Sequence, residues 1–490
     1  MSTRKLIITL VIAVNLLVAL LAYLFSPYYL WWLVITVPML WVSISHILQK
    51  KHAILRNYPL VGSFRYLFES IRPELRQYFW ESDTDGRPFN RRQRSLVYQR
   101  AKNERETVAF GMQSDPNLPG NEWVAHTVFP VKITEKDLRT TVGNPQCRQP
   151  YSLSVLNISA MSYGALSKTA ITALNRGAEL AHFAHNTGEG AISEFHLQGG
   201  DLIWQIGTGY FGCRDEQGSF SEELFAKNAA RPQVKMIELK LSQGAKPGHG
   251  GILPAAKNTP EIAAIRHVIP HTDVMSPPGH SAFSTPVEML TFIGKMRALS
   301  GYKPVGFKMC IGDKREFVDI CHAITTTQII PDFIAIDGAE GGTGAAPLEF
   351  TDSIGMPLYD ALTFVTKTLI SFGIKKDIKI LVSGKIITGF DVLKAIALGA
   401  DACYSARGMM FALGCIQALK CNEDTCPVGV ATQNPKLYKG LDVNSKQVRV
   451  AQFHQNTIRA TIEIMEACGF ATLADVSADK FSVKLITILR

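Results

Sequence analysis

Acidic residues are missing from the first fifty positions, where Arg4, Lys5 and Lys50 are the only charged side chains. Charge is scarce throughout, at 19% against 47% hydrophobic residues, a richer apolar content than a purely soluble domain carries. The formal net charge of +9 sits almost wholly in the N-terminal quarter: +3 over residues 1–50, +5 over 51–106 and about +1 beyond. That distribution excludes a nucleic-acid surface spread over the main body. Nine cysteines are too few for this length to form a disulfide framework, and their clustering fits a reducing compartment and metal binding. Repeats and low-complexity tracts are absent, which excludes solenoids and propellers.

The chain does contain two long apolar runs. Leu6 to Phe25 is interrupted only by Thr9, Asn15 and Tyr23, and Tyr29 to Leu48 carries Trp31, Trp32 and Trp41 toward its ends. Each can cross a hydrocarbon core of about 30 Å, and Ser26-Pro27-Tyr28 leaves room only for a tight hairpin. Pro38 is expected to kink the second span. Arg4 and Lys5 before it, with Lys50, Lys51 and Arg56 after it, put both ends and the main domain on the cytoplasmic side of the inner membrane. A cleaved signal peptide is the rival for the first run. It lacks a small-residue cleavage site, and a second span follows at once.

Residues 51–146 read as a basic-aromatic connector in which Arg65-Tyr66-Leu67-Phe68 and Arg76-Gln77-Tyr78-Phe79-Trp80 mix cations with rings. Anionic membrane lipid would hold such a segment, and a folded collar on the main domain is the alternative.

From residue 147 to 435 the texture is that of a (β/α)8 TIM barrel, an α/β fold. Strands are expected at Leu153–Ile158, Phe183–Asn186, Val234–Leu241, Asp273–Ser276, Val305–Met309, Phe333–Ile336, Ile378–Val382 and Ala402–Tyr404. Helical patterns such as Pro286–Leu299 and Tyr359–Ser371 fall between most of them. A doubly wound open sheet is the competing arrangement, but no Gly-x-Gly-x-x-Gly follows the first strand. Residues 436–490 are expected to form a helical extension.

In a barrel the chemistry sits where strands give way to loops. The residues there are small and polar: Ala160-Met161-Ser162, Asn186-Thr187-Gly188-Glu189-Gly190, Gln243-Gly244-Ala245-Lys246, Gly341-Gly342-Thr343-Gly344, Ser383-Gly384-Lys385 and Ser405-Ala406-Arg407. Glycines after strands seven and eight suit phosphate, whose oxygens take exposed backbone N–H groups, and a flat ring system needs the same close approach. Together the loops point to a phosphorylated planar cofactor. Lys240, Lys246, Lys308 and Arg266 cluster at these ends. Burying four cations is costly unless anions meet them, and a dicarboxylate substrate would supply the partner; singly, each also reads as a solvated surface cation.

The densest signal is Cys415, Cys421 and Cys426-Pro427-Val428-Gly429-Val430-Ala431-Thr432-Gln433. Three thiols from one loop, the last before proline, suit an iron–sulfur cluster with one iron fewer than the cubane. A zinc site lacks a nearby histidine for its fourth ligand. Buried reduced cysteines are the plainer reading.

The Asn186–Gly190, Gln243–Gly248, Gly341–Ala345 and Cys415–Gln433 motifs, in this order between Ser152 and Pro435, closely resemble the synthase domain of glutamate synthase. That resemblance implies an FMN-binding barrel with a 3Fe–4S cluster on Cys415, Cys421 and Cys426. It implies condensation of 2-oxoglutarate with ammonia to 2-iminoglutarate, then hydride transfer from FMN to give glutamate. Carried over by motif, Gln243, Lys246, Arg266 and Ser284 hold the oxo-acid carboxylates, and Glu189 is the acidic group beside flavin and imine. Lys240 and Lys308 contact the flavin and share in catalysis. Ala160, Met161, Ser162, Gly341, Gly342, Thr343, Gly344, Ser383, Gly384, Lys385, Ser405, Ala406 and Arg407 line the cofactor.

The departures are specific. Two apolar runs stand where the family carries a glutaminase, His249 replaces a glutamate, and Ser383-Gly384-Lys385 replaces an acidic diglycine turn. Only a short tail stands in place of the family's C-terminal β-helix. The resemblance is therefore closest to membrane-anchored, glutaminase-free relatives. It implies ferredoxin or another reductase as electron donor, ammonia or an amine as nitrogen donor, and no nucleic acid; a homo-oligomer is compatible. Two other readings stay open: an amino- or hydroxy-acid oxidoreductase feeding a membrane acceptor, and a non-catalytic redox-sensing subunit.

Overall fold

The computed structural model describes residues 3–104, 107–344 and 346–484. It falls into two compact units, Met1–Pro88 and Phe89–Arg490.

In the first unit a helix over Thr3–Leu24 is followed by a 3-10 turn, Pro27–Trp32, and a helix over Leu33–Leu48. The second apolar run therefore starts as a tighter helix, because Pro27 presets the first turn and Ser26 caps it. Arg4–Leu24 and Pro27–Leu48 are long and apolar enough to cross a membrane. Two polar exceptions answer each other: Thr36 Oγ1 donates to Asn15 Oδ1 at 2.9 Å, and Asn15 Nδ2 reaches Thr36 O at 3.2 Å. Across apolar helices, such a pair satisfies groups that would otherwise be stranded. The helix Gly62–Leu75 follows, extended by a π-helical turn, Arg76–Trp80.

In the second unit eight parallel strands close into a barrel: Leu156–Ile158, His185–Asn186, Leu202–Ile206, Val234–Lys240, Val305–Met309, Phe333–Asp337, Lys379–Ser383 and Ala402–Ser405. The last pairs with the first through Cys403 and Leu156, so no edge is left. The expected TIM barrel is present, with one strand corrected. Asp273–Ser276 is not a barrel strand: Val274–Met275 pairs antiparallel with Ile252–Leu253 in a small ladder of its own. The missing strand is Leu202–Ile206, buried along its whole length. It escapes the βα rhythm because only a 3-10 turn, Glu194–His196, separates it from the second strand. The run at 153–158 also divides. Tyr151–Ser154 pairs with Arg139–Val142 as an antiparallel hairpin, and only Leu156–Ile158 enters the barrel.

The hairpin serves the core. Val142 and Leu153 pack with Ile203, Met236, Phe333 and Leu381 in a cluster separate from the larger one under the outer helices, which closes the N-terminal end of the barrel with apolar side chains. The long helix Val443–Cys468 lies against Lys168–Leu180, Arg91–Lys102 and Arg407–Leu413. Gly177 permits the first of these contacts, since a Cβ there would come within 2.6 Å of Val450 Cγ1.

Candidate active site

Side chains alternate along a strand, so Glu238 and Lys240, two residues apart, share a face of the fourth barrel strand. Glu238 is fully buried, accepting from Asn186 Nδ2 at 2.9 Å, Gln205 Nε2 at 2.6 Å and Tyr404 Oη at 3.1 Å. This polar layer comes from four strands and lies beneath the C-terminal mouth.

At the mouth, Lys240 Nζ meets Glu189 Oε1 at 2.8 Å. Both oxygens of Glu189 abut glycines: a Cβ on Gly207 or Gly251 would come within 2.6 Å of one oxygen each. Burial pushes the Glu189 carboxyl up, but Lys240, Lys246 and Arg266 outweigh it and hold the group below the ordinary carboxylate value. Lys246 is buried and donates to Gly250 O at 2.9 Å; burial and Lys240 draw its pKa down against Glu189. Arg266 donates to Tyr163 O at 2.9 Å, lies over the Phe211 ring and, among the described residues, has no partner for its buried Nε. Burial lowers it to about 10. Three buried cations thus face one carboxylate, and an entering dianion would balance them.

Glu189 and Lys240 border an open pocket lined also by Gln243, Thr208, His249 and Pro277, among others; Lys246 and Arg266 are not among its lining residues. His280 anchors the loop above it. Nε2 donates to Lys240 O at 2.8 Å, so Nδ1 accepts from Tyr210 Oη at 3.0 Å. Ser284 does not line this pocket. It is exposed, and its N–H and hydroxyl both bond Glu288 Oε2, at 2.7 and 3.0 Å, at the start of the helix Pro286–Leu299. The family resemblance implies a substrate contact, whereas the side chain is engaged at a helix start.

Lys308 Nζ faces Asp337 Oδ2 at 3.4 Å. Asp337 also accepts from Gly244 N–H and Ser383 Oγ, tying the loops after strands four, six and seven. Sequence reasoning places Asp337 at the head of the loop carrying Gly341–Gly344 but gives it no role; Ala345, next to that motif, lies outside the described residues. Ala160, Met161 and Ser162 follow the first strand, and Arg266 Nη2 reaches Ser162 Oγ at 3.4 Å. Ser405 Oγ donates to Ile386 O at 2.6 Å, and Ala406 precedes the helix Arg407–Leu413. A Cβ on Gly342 would come within 2.9 Å of Arg407 Nη2, so these two loops touch.

FMN can be tested against this donor set. Among the described residues neither Arg407 nor Lys385 has a carboxylate within ion-pair distance. Arg407 reaches Met410 Sδ and Lys385 sits over the Phe89 ring, both beyond the strands where a phosphate is expected. Two cations without anions beside glycine backbone fit a phosphate group.

The cysteine loop follows at once. Burial pushes the Cys415 thiol up to about 11; the Gln417 N–H and Arg407 oppose this, and Cys421 and Cys426 add to it. Among the described residues no three His, Cys, Asp or Glu side chains are gathered to hold a metal ion. A cluster needs wider spacing than a single ion, because its own irons and sulfides lie between the thiolates, and three soft thiols on one loop have the right chemistry. A Cβ on Gly344 would come within 3.1 Å of Cys421 Cβ, so the loop after strand six abuts the cysteines. Lys257, 3% exposed, donates to Ala165 O, Cys421 O and Ala431 O at 3.1, 2.8 and 3.0 Å. No motif singles it out, because Cys421 lies 164 residues away in the chain.

The conserved region in glutamate synthase matches residues 123–471. The glutamate synthase large subunit-like protein YerD of Bacillus subtilis is 39% identical over 481 residues, 89% of this chain and 91% of its own. The archaeal glutamate synthase [NADPH] of Methanocaldococcus jannaschii is 34% identical over 73% of this chain and 66% of its own. The chain thus spans nearly all of the first relative and just under two thirds of the second. A mandelate oxidase crystallised with (S)-2-phenylpropionate aligns over 80% of this chain and 90% of its own, at 16% identity and a TM-score of 0.45.

Proposed function

The chain belongs to the glutamate synthase family, and from that premise we propose a membrane-anchored oxidoreductase acting on CH–NH2 donors. In this reading it carries FMN and a 3Fe–4S cluster and forms glutamate, or an N-substituted glutamate, from 2-oxoglutarate and ammonia or an amine. The observation that carries it is the mouth of the barrel, where Lys240, Lys246 and Arg266 converge on Glu189.

When bound, FMN would supply hydride and the cluster single electrons. Lys308, Ser383, Lys385, Arg407 and the glycines at 341, 342 and 344 are the residues that would hold the flavin; Cys415, Cys421 and Cys426 would hold the cluster. The chain's own residues supply position and protons. Arg266 and Lys246 pair with the substrate carboxylates, and Gln243 fixes their orientation through its amide. Glu189, kept ionised by three cations, acts as an acceptor that holds the Lys240 ammonium in place. Lys240, rather than Glu189, then donates a proton to the imine nitrogen as hydride reaches the carbon. Glu189 returns a proton to Lys240 from solvent through the open pocket.

The two apolar helices would anchor the protein in the inner membrane with the barrel on the cytoplasmic side, and a ferredoxin or another reductase would deliver electrons. Steady-state assay tests this: glutamate formed from 2-oxoglutarate, ammonia and reduced ferredoxin supports the reading. Iron-replete, yellow protein that forms no amino acid from any oxo acid and amine would contradict it.

A further inference from the structure

The helix Gly62–Leu75 has an apolar face that is left largely exposed among the described residues. Phe64, Leu67, Phe68, Ile71 and Leu75 recur at i, i+3, i+4, i+7 and i+11, the stripe a helix normally turns to a core. Here Phe64, Leu67 and Phe68 are each more than half exposed, and Ile71 is exposed too. The π-helical turn that follows adds Tyr78, Phe79 and Trp80, all exposed. Arg65 and Arg72 flank the stripe on one side, at about 100° and 80° from Phe64 on a helical wheel, and Arg76 ends the helix. Arg76 pairs with Glu81 at 3.3 Å, whereas Glu69 reaches Arg72 only at 3.9 Å, on the surface. From Gln49 to Trp80 there are six Lys or Arg and two Glu.

We propose that Gly62–Trp80 is an interfacial helix lying in the plane of an anionic lipid bilayer, with Phe64, Leu67 and Phe68 among the acyl chains and the arginines at lipid phosphates. This rests on the membrane-anchored reading above. Three features favour lipid over a second copy of the chain. Thirteen residues separate the segment from the end of the helix Leu33–Leu48, which keeps it near any membrane that helix enters. Its rings are those that collect at the headgroup level, including Trp80 and Tyr78. Its positive excess matches anionic lipid and would repel an identical copy. Such a helix would hold the chain beyond the spans against the bilayer surface, where a membrane-bound electron carrier would be met.

Hydrogen exchange read by mass spectrometry tests this on the full chain in nanodiscs, made with phosphatidylcholine alone or with added phosphatidylglycerol. The variant combines Phe64→Ser, Leu67→Ser and Phe68→Ser, three side chains that are each more than half exposed. Exchange across 62–75 is expected to be about tenfold or more slower in the wild-type chain than in the variant in anionic discs, with a smaller difference in phosphatidylcholine. Equal exchange in both chains, with residues 4–24 and 33–48 protected, overturns the interfacial helix and leaves the anchor standing. Protection found only in discs carrying two chains assigns the face to a second copy and also overturns it. Unprotected spans would overturn the membrane reading itself.

Discussion

Replacing Lys257 by methionine keeps the aliphatic stem and removes the ammonium that ties the cysteine loop to the barrel. Lys257 donates to three backbone carbonyls at 2.8, 3.0 and 3.1 Å, one of them that of Cys421. A hydrogen bond from a charged donor contributes about 1.5–3 kcal/mol net, and each carbonyl left unpaired costs about 1–3 kcal/mol. Against this, burial draws the lysine's pKa down, although Asp424, Cys421 and Cys426 oppose it, so methionine regains part of the ammonium's desolvation cost. The balance is a loss of about 2–4 kcal/mol, concentrated in residues 415–433. For a unit this large the entropy of unfolding makes that only about 3 °C in Tm, so limited proteolysis is the sharper assay. The variant should be cut within 415–433 under conditions that leave wild-type protein intact, and should retain less iron after reconstitution. Lys257→Arg should fall between the two. Wild-type cleavage and iron content in Lys257→Met would refute the clamp.

Other expectations follow from the same geometry. Glu189→Gln leaves Lys240, Lys246 and Arg266 uncompensated, so thermal stability near neutral pH should fall. Because the folded carboxyl is held below its ordinary value, its contribution is fully present above about pH 4.3 and is lost as pH falls through the lower folded value. The Tm gap between wild type and variant should therefore narrow in acid, and a gap that widens would contradict the ion-pair account. Arg407→Gln should weaken FMN retention roughly tenfold in equilibrium dialysis; unchanged affinity would remove this residue from the phosphate site. Ser284→Ala should leave KM for the oxo acid within about twofold of wild type, since the hydroxyl is committed to Glu288. A large rise in KM would restore the substrate contact that the family resemblance implies.

Seven of the eight barrel strands are readable as short apolar runs between turns, because buried parallel strands are apolar on both faces. Leu202–Ile206 and Val274–Met275 exchange roles for a reason local pattern cannot supply. Both are brief apolar runs near glycine or proline, and only long-range pairing decides which one joins the barrel. Lys240, Lys246 and Arg266 stand out in the sequence as cations near strand ends or loops against an apolar background, although Arg266 closes the helix Pro260–Arg266, and Glu189 is singled out by the family resemblance alone. Asp337 and Lys257 are not, since an aspartate before a glycine and a lysine in a loop are common, and their meaning comes from partners far away in the chain. Ser284 shows the converse, a residue that the resemblance offers as a substrate contact while its side chain bonds Glu288 at a helix start.

The central claim, a flavin barrel whose cations receive an oxo dicarboxylate, is tested most directly by anaerobic reduction of the purified full chain followed by mixing with 2-oxoglutarate and ammonia or a primary amine. The account predicts a reduced flavin spectrum that reoxidises as glutamate or an N-substituted glutamate forms, with both events abolished in Lys240→Met. Reduced flavin that stays reduced with every oxo acid and amine, or reoxidises equally well in Lys240→Met, would contradict it.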